Sequence, residues 1–155
     1  MKSEKYERIL GSAQALLSGE TDLVANLANV CALIKTEFDF WWVGFYVVKN
    51  DELVLGPFQG PVACTRIAKG KGVCGTSWAK AVSIVVPDVH QFEGHIACSA
   101  ASNSEIVVPL VHGDEVWGVL DIDSTEFGSF DETDRIYLEK IVGLIFRSSG
   151  DAKEN

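Results

Sequence analysis

Residues 94–109 read Gly-His-Ile-Ala-Cys-Ser-Ala-Ala-Ser-Asn-Ser-Glu-Ile-Val-Val-Pro. Cys98 stands in this run of small and polar residues, with His95 before it and Glu105 after it. Small side chains let a backbone come close to a ligand and leave N–H groups free to point at an anion or a polar oxygen. A cysteine in such a loop can be reached by solvent and activated as a thiolate. Alone, Cys98 reads as a structural thiol, since free Cys is among the most buried residue types. Its company changes that balance. Cys64 follows a Gly/Pro-rich loop, and Cys74 sits near a helix start. Cys31 falls on an apolar helical stripe and reads as core. No pair forms C-x-x-C, and His90 and His112 stand in no ligand pattern, so no metal is expected. Without Gly-x-Ser-x-Gly, a serine hydrolase is poorly supported. A Cys98–His95 hydrolase is conceivable, but His95 reads better as a surface or supporting loop residue. Two or three redox-capable cysteines fit a thiol cycle, in which one thiolate attacks, a second forms a disulfide and an external dithiol resets the pair.

The elements that must hold these residues follow from periodicity. Residues 4–17 carry Ile9, Ala13, Leu16 and Leu17, a short amphipathic helix ending near Gly19. Thr21 or Asp22 can cap a second helix with the stripe Leu23, Leu27, Val30, Cys31, Ile34 and Phe38. Residues 40–49 are a strand by composition. Alternation puts Trp42 and Tyr46 with Gly44 on one face, and Trp41, Val43, Phe45 and Val47 on the other, which reads as core. Trp42 and Tyr46 form either an aromatic wall over a pocket or ordinary packing. Asn50-Asp51 turns into a second strand at 52–57, and an irregular loop delivers Cys64 just before a short strand at 65–68. A helix is expected over 73–81 and a strand over 83–87. Gly70-Lys-Gly72 lacks both the P-loop and the dinucleotide-binding spacing.

Residues 104–112 and 115–124 form a strand pair around Gly113-Asp114. A two-residue loop pairs His112 with Glu115 and puts Glu105 on the face opposite Asp121 and Asp123. A three-residue loop pairs His112 with Val116, so that Glu105 faces Asp123 and Val107 faces Asp121. In that odd register Ile106, Val108, Leu110, Gly118, Leu120 and Ile122 make a nearly pure core face. It also gathers Glu105, Asp121 and Asp123 on the other face. Like charges so placed repel, so a sheet that keeps them has a use for them, such as binding a cationic group. Asp131 caps the last helix, 131–147, with Asp134 three residues on, and the chain is expected to fray from Gly150.

Together, the 155 residues read as one domain: N-terminal helices over 1–38, sheet and site loops over 40–124, and the C-terminal helix. The expected order, α-α-β-β-β-α-β-β-β-α, means an α+β fold with helices on one face of a mostly antiparallel sheet and a ligand pocket on the other. Net charge is −9, from 22 acidic and 13 basic residues, which argues against nucleic acid or an anionic membrane as partner. No apolar run approaches membrane-spanning length, and the charged N-terminus is no secretory signal. The expected compartment is the cytoplasm, where permanent disulfides do not persist.

Seven motifs then stand out: Trp41-Trp-Val-Gly-Phe-Tyr46, Gly56-Pro-Phe-Gln-Gly-Pro-Val-Ala-Cys-Thr-Arg-Ile67, Gly70-Lys-Gly-Val-Cys-Gly-Thr76, Val86-Pro-Asp-Val-His90, Gly94-His-Ile-Ala-Cys98, Ser104-Glu-Ile-Val-Val-Pro-Leu110 and Gly118-Val-Leu-Asp-Ile-Asp-Ser124. In these the chain resembles the free methionine-(R)-sulfoxide reductases, stand-alone members of the GAF-domain fold, from residue 40 to the end of the last helix. A generic GAF domain needs none of Cys64, Cys74 and Cys98. The resemblance implies that Cys98 attacks the sulfoxide sulfur, Cys64 resolves the product, and Cys74 is an auxiliary thiol. It implies that Glu105, Asp121 and Asp123 hold the substrate, Trp42 and Tyr46 wall its methyl-thioether end, and backbone N–H groups around Cys98 polarise the sulfoxide oxygen. It further implies no bound cofactor, a thioredoxin-like external reductant, a homodimer and the (R) preference. Ser99 departs from the family, in which an Asp commonly follows the Cys. An acidic pocket suits the ammonium of a free amino acid and rejects a peptide-bound one, but it raises thiol pKa values and so opposes activation. The alternative class is a ligand- or redox-sensing GAF module, which binds stoichiometrically without turnover.

Overall fold

The computed structural model describes residues 1–96, 98 and 101–154, with side chains up to 146. Ser99, expected as a departure from the family, lies outside them, as do residues 97 and 100 among the backbone donors expected around Cys98. Two helices come first, α1 (Lys2–Leu17) and α2 (Leu23–Phe38). Asp22 caps α2 by accepting from the Ala25 N–H at 2.9 Å, and Asp39 ends it in the left-handed region at φ 53°. Both apolar stripes are buried largely as expected, Cys31 among them. Burial pushes the Cys31 thiol up to about 12, so it stays neutral. Leu16 is not on the stripe: the buried positions are Tyr6, Ile9, Ala13 and Leu17, spaced by three and four, and Leu16, one residue short of Leu17, is turned about 100° away and exposed.

Six strands follow: β1 (Trp42–Lys49), β2 (Glu52–Gln59), β3 (Arg66–Ala68), β4 (Ile84–Val86), β5 (Ser104–His112) and β6 (Glu115–Ser124). They form one sheet in the order β3-β2-β1-β6-β5-β4, with every recorded pair antiparallel. Asn50 and Asp51 both adopt positive φ (51° and 63°), the turn geometry that matches strand twist in a two-residue hairpin. α3 (Gly72–Lys80) and a short 3₁₀ turn, Val89–Gln91, flank β4. α4 (Glu132–Glu154) closes the chain.

Helices α1, α2 and α4 cover one face of the sheet around Val43, Phe45, Ile106, Val108, Leu120 and Ile122. Not all helices lie there, however. α3 packs on the opposite face through Val73, Cys74 and Trp78, against Trp42, Tyr46, Val107 and Val119. The loop glycines at 70 and 72, both at positive φ, fold that short segment over the sheet. α4 also outruns its expected end at 147. Gly150 costs about 1 kcal/mol against Ala in a helix, which weakens a turn without stopping it.

The β5–β6 register decides the site. Glu105 pairs with Asp123 and Val107 with Asp121, as the odd register requires. The route differs from expectation. The loop is the two-residue one, since His112 pairs with Glu115. The register then shifts between Leu110 and Val111, where Val111 pairs with Val116 and Leu110 with Gly118, leaving Trp117 as the extra residue of a β-bulge. One inserted residue flips every later side chain to the other face. The half-buried Trp117 packs its ring on Phe146 of α4, at 5.3 Å between centroids.

Candidate active site

The bulge brings together what the sequence separates. Glu105 and Asp121 are 6% and 7% exposed on the face away from the main core, and Asp123 beside them is half-buried. β1 lies next to β6, so Trp42 pairs with Asp123 and Gly44 with Asp121. The three carboxyls, Trp42, Tyr46, Cys74 and Cys98 line a single cavity of about 50 Å³ between the sheet, α3, the 61–63 segment, His95 and Ile96.

The aromatic pair is fixed by hydrogen bonds as well as by packing. Trp42 Nε1 donates to the Pro61 carbonyl at 2.9 Å, and the Tyr46 hydroxyl donates to the Cys64 carbonyl at 2.8 Å. The wall therefore also holds the loop that carries Cys64. Gly60, at φ +138°, leaves room for the indole: a Cβ there would sit 2.8 Å from Trp42 Cδ1. Trp41 departs from expectation. It precedes the first paired residue, escapes the strand's alternation, and stands 38% exposed at the cavity mouth rather than in the core.

Cys64 and Cys98 form a disulfide, with Cα atoms 5.4 Å apart. Their loops lie 34 residues apart in sequence, and the bond ties the Cys64 loop to Cys98, which lines the cavity. The Cys98 N–H donates to the Ile96 carbonyl at 3.1 Å and the His95 N–H to the Phe92 carbonyl at 3.2 Å, so these two donors of the Cys98 loop are taken. Cys74 is a free, buried thiol.

The electrostatics follow from burial. Desolvation first, and then the charge of their neighbours, pushes Glu105, Asp121 and Asp123 well above the usual carboxylate range. The same causes push up the Cys74 thiol and the Tyr46 hydroxyl. Asp121 Oδ1 is buried and has no hydrogen-bond partner. Carboxyls held protonated near neutrality can donate a proton, and carboxylates with an unused oxygen can accept a cation's N–H groups.

Two more residues belong to the site. The Ser102 hydroxyl donates to Asp123 Oδ1 at 3.0 Å. His95 Nε2 lies 3.9 Å from Glu105 Oε1, and desolvation, helped by His90, holds its imidazole below its ordinary value. Ser102 sits in a Ala/Ser/Asn run without periodicity, so nothing in the sequence distinguished it from its neighbours. His95 was visible beside Cys98 but read as peripheral, whereas it lines the cavity.

A GAF-domain family model matches residues 20–145. GAF domain-containing protein A of Dictyostelium discoideum is 55% identical over 93% of this chain and 92% of its own. Free methionine-R-sulfoxide reductase of Escherichia coli strain K12 is 51% identical over 93% and 88%. The X-ray structure of free methionine-R-sulfoxide reductase from Neisseria meningitidis in complex with its substrate superposes with a TM-score of 0.94 at 49% identity, covering 98% of this chain and 94% of that one.

Proposed function

Because the chain belongs to the free methionine-R-sulfoxide reductase branch of the GAF-domain family, we propose that it reduces free L-methionine (R)-S-oxide to L-methionine through its own cysteines. The observation that carries this function is the Cys64–Cys98 disulfide over a cavity with three carboxyls and an aromatic wall. Free methionine sulfoxide has the complementary parts: an ammonium for the carboxyls, an apolar methyl for Trp42 and Tyr46, and a polar S–O for the thiol end.

With the pair reduced, the Cys98 thiolate attacks the sulfoxide sulfur. A carboxyl of the cluster gives the proton that lets oxygen leave from the substrate, and methionine departs as Cys98 becomes a sulfenic acid. The Cys64 thiol then displaces water from that sulfenic acid and forms the disulfide. A thioredoxin-type dithiol returns both cysteines to thiols and is itself oxidised, so no bound cofactor takes part. Cys74 serves as an auxiliary thiol for exchange. The ammonium's charge offsets the carboxylates that would otherwise hold the attacking thiol protonated. Peptide-bound methionine sulfoxide has no ammonium to offer buried carboxyls and is refused. The active form is a cytoplasmic homodimer.

The test is to supply racemic free methionine sulfoxide with a dithiol and measure the methionine formed. Half the racemate should be consumed, and Cys98→Ser should form none while keeping its fold. Substantial turnover by that variant would remove Cys98 as the nucleophile. Cys64→Ser should give one burst of product and recycle poorly with thioredoxin, and an undiminished steady state would deny its resolving role.

A further inference from the structure

One feature of the cavity is not explained by an ammonium. Cys74 Sγ, an oxygen of Glu105 and an oxygen of Asp121 all lie within 4.8 Å of one another. An ammonium uses carboxylates and gains little from a thiol. Around a tetrahedral zinc-type ion, bonds of about 2.0–2.3 Å put donor atoms roughly 3.5 Å apart, so a contraction of about 1 Å would close this set on a cation. Asp121 Oδ1, buried and unpartnered, independently marks a place that lacks a positive group. His95 Nε2, 3.9 Å from Glu105 Oε1, offers nitrogen for a fourth position on the mouth side. The redox pair is engaged with itself and is not needed. One sulfur, two carboxylates and an imidazole suit a borderline-soft ion, whereas Mg²⁺ and Ca²⁺ prefer all-oxygen shells with more ligands.

We propose that Cys74, Glu105 and Asp121 bind a thiophilic divalent cation of the zinc class, and that this ion and a cationic amino acid exclude each other from the cavity. The metal does no chemistry here: it occupies the ammonium's seat, and the thiol loses its proton to solvent on binding. The exclusion rests on the function proposed above, but the metal site does not.

The experiment titrates Co²⁺ into the full-length chain, reduced with a phosphine and exchanged into anaerobic buffer. One equivalent should produce the near-ultraviolet thiolate-to-cobalt charge-transfer band, and Zn²⁺ should bleach it by displacement. Cys74→Ser should lose the band and weaken Zn²⁺ binding, read calorimetrically, by at least about tenfold. The Cys64→Ser/Cys98→Ser double variant should keep both. A folded wild type without the band overturns the site, as does a band that survives Cys74→Ser or vanishes in the double variant. If Cys74→Ser misfolds by circular dichroism, Asp121→Asn takes its place, with unchanged Zn²⁺ affinity overturning the site. In Cys98→Ser, which cannot consume substrate, free methionine sulfoxide should bleach the cobalt band. A persistent band there overturns the exclusion. A chain without reductase activity that still shows the cobalt band fails the proposed function and keeps the metal site.

Discussion

Asp134 and Asp121 are both buried aspartates, and their surroundings are opposite. Asp134, with no exposed surface, accepts from Lys2 Nζ at 2.7 Å, the Tyr6 hydroxyl at 2.5 Å and the Asp131 N–H at 2.8 Å. Both its oxygens are used, one partner is a cation, and the bonds tie α1 to the first turn of α4. Asp121 lies among Glu105, Asp123 and a thiol, and one of its oxygens has no partner at all. A fold can afford few such groups, since an unsatisfied buried acceptor costs about 1–3 kcal/mol. Where the chain needs only stability, it completes the hydrogen bonding itself. Where a ligand is to arrive, it leaves the completion to the ligand.

That contrast is broken most directly at Asp134. Asp134→Ala leaves Lys2 and the Tyr6 hydroxyl facing an emptied position and should lower the unfolding free energy by about 3–5 kcal/mol, the usual cost of breaking a buried pair. kcat/KM per folded molecule should hold. A shift in urea midpoint equivalent to less than about 1 kcal/mol would put Asp134 in the class of ornamental surface pairs. Asp121→Asn should do the reverse. It removes a charged acceptor for the ammonium, worth about 1.5–3 kcal/mol, so kcat/KM should fall about 10- to 100-fold. The ligand-free protein should meanwhile melt about 2–4 °C higher at neutral pH, because the amide is neutral at every pH, whereas the buried carboxyl must take up a proton at pH 7 in order to fold. An Asn variant both less active and less stable would end the comparison.

The two aspartates also differ in how far the sequence exposed them. Asp121 was legible because alternation along a strand is local: the choice of register followed from asking which pairing made one clean apolar face. The means was not legible. Parity says that an extra residue must enter, but a longer loop and a bulge at Trp117 supply it equally well. Asp134 was read only as an acid serving the helix dipole. Its partners Lys2 and Tyr6 lie more than 125 residues away, as the separations of 132 and 128 show, and no periodicity links positions so distant. The same limit hid Ser102, whose partner Asp123 is set by the register, and misplaced Trp41, where the strand had not yet begun. Cys31 and the α2 cap, by contrast, depend on residues within one or two helical turns: Cys31 was read as it stands, and the cap was narrowed to Thr21 or Asp22, of which the structure uses Asp22.

Titration sharpens the contrast further. Glu105, Asp121 and Asp123 have folded pKa values raised by burial. The folded state therefore holds protons that the unfolded chain releases above about pH 4. Their stabilising contribution is full below that pH and is lost as pH rises toward the folded values. Between pH 5 and 8 the ligand-free protein should lose stability, with a slope of at most about 1.4 kcal/mol per pH unit for each group. Glu37, Asp131 and Glu132 are lowered instead. Their contributions are present above about pH 4.5 and lost only below it, outside this window. Asp121→Asn should flatten the slope in urea unfolding at fixed redox state, and an identical slope in the variant would mean that Asp121 is ionised in the folded protein.

Ser102→Ala asks how much of Asp123's environment is set by one neutral hydrogen bond. The hydroxyl favours the ionised form of Asp123, which burial and Glu105 oppose. Its removal should push that carboxyl further up and cost the ammonium part of one charged partner. A hydrogen bond to a charged group contributes about 1.5–3 kcal/mol, and only a fraction of that passes to the substrate. With Asp123 holding the ammonium and another carboxyl of the cluster delivering the proton, KM should rise about three- to tenfold while kcat changes little. A fall in kcat at unchanged KM would transfer the proton-donating role to Asp123, and with it the part of the cluster closest to the reacting oxygen.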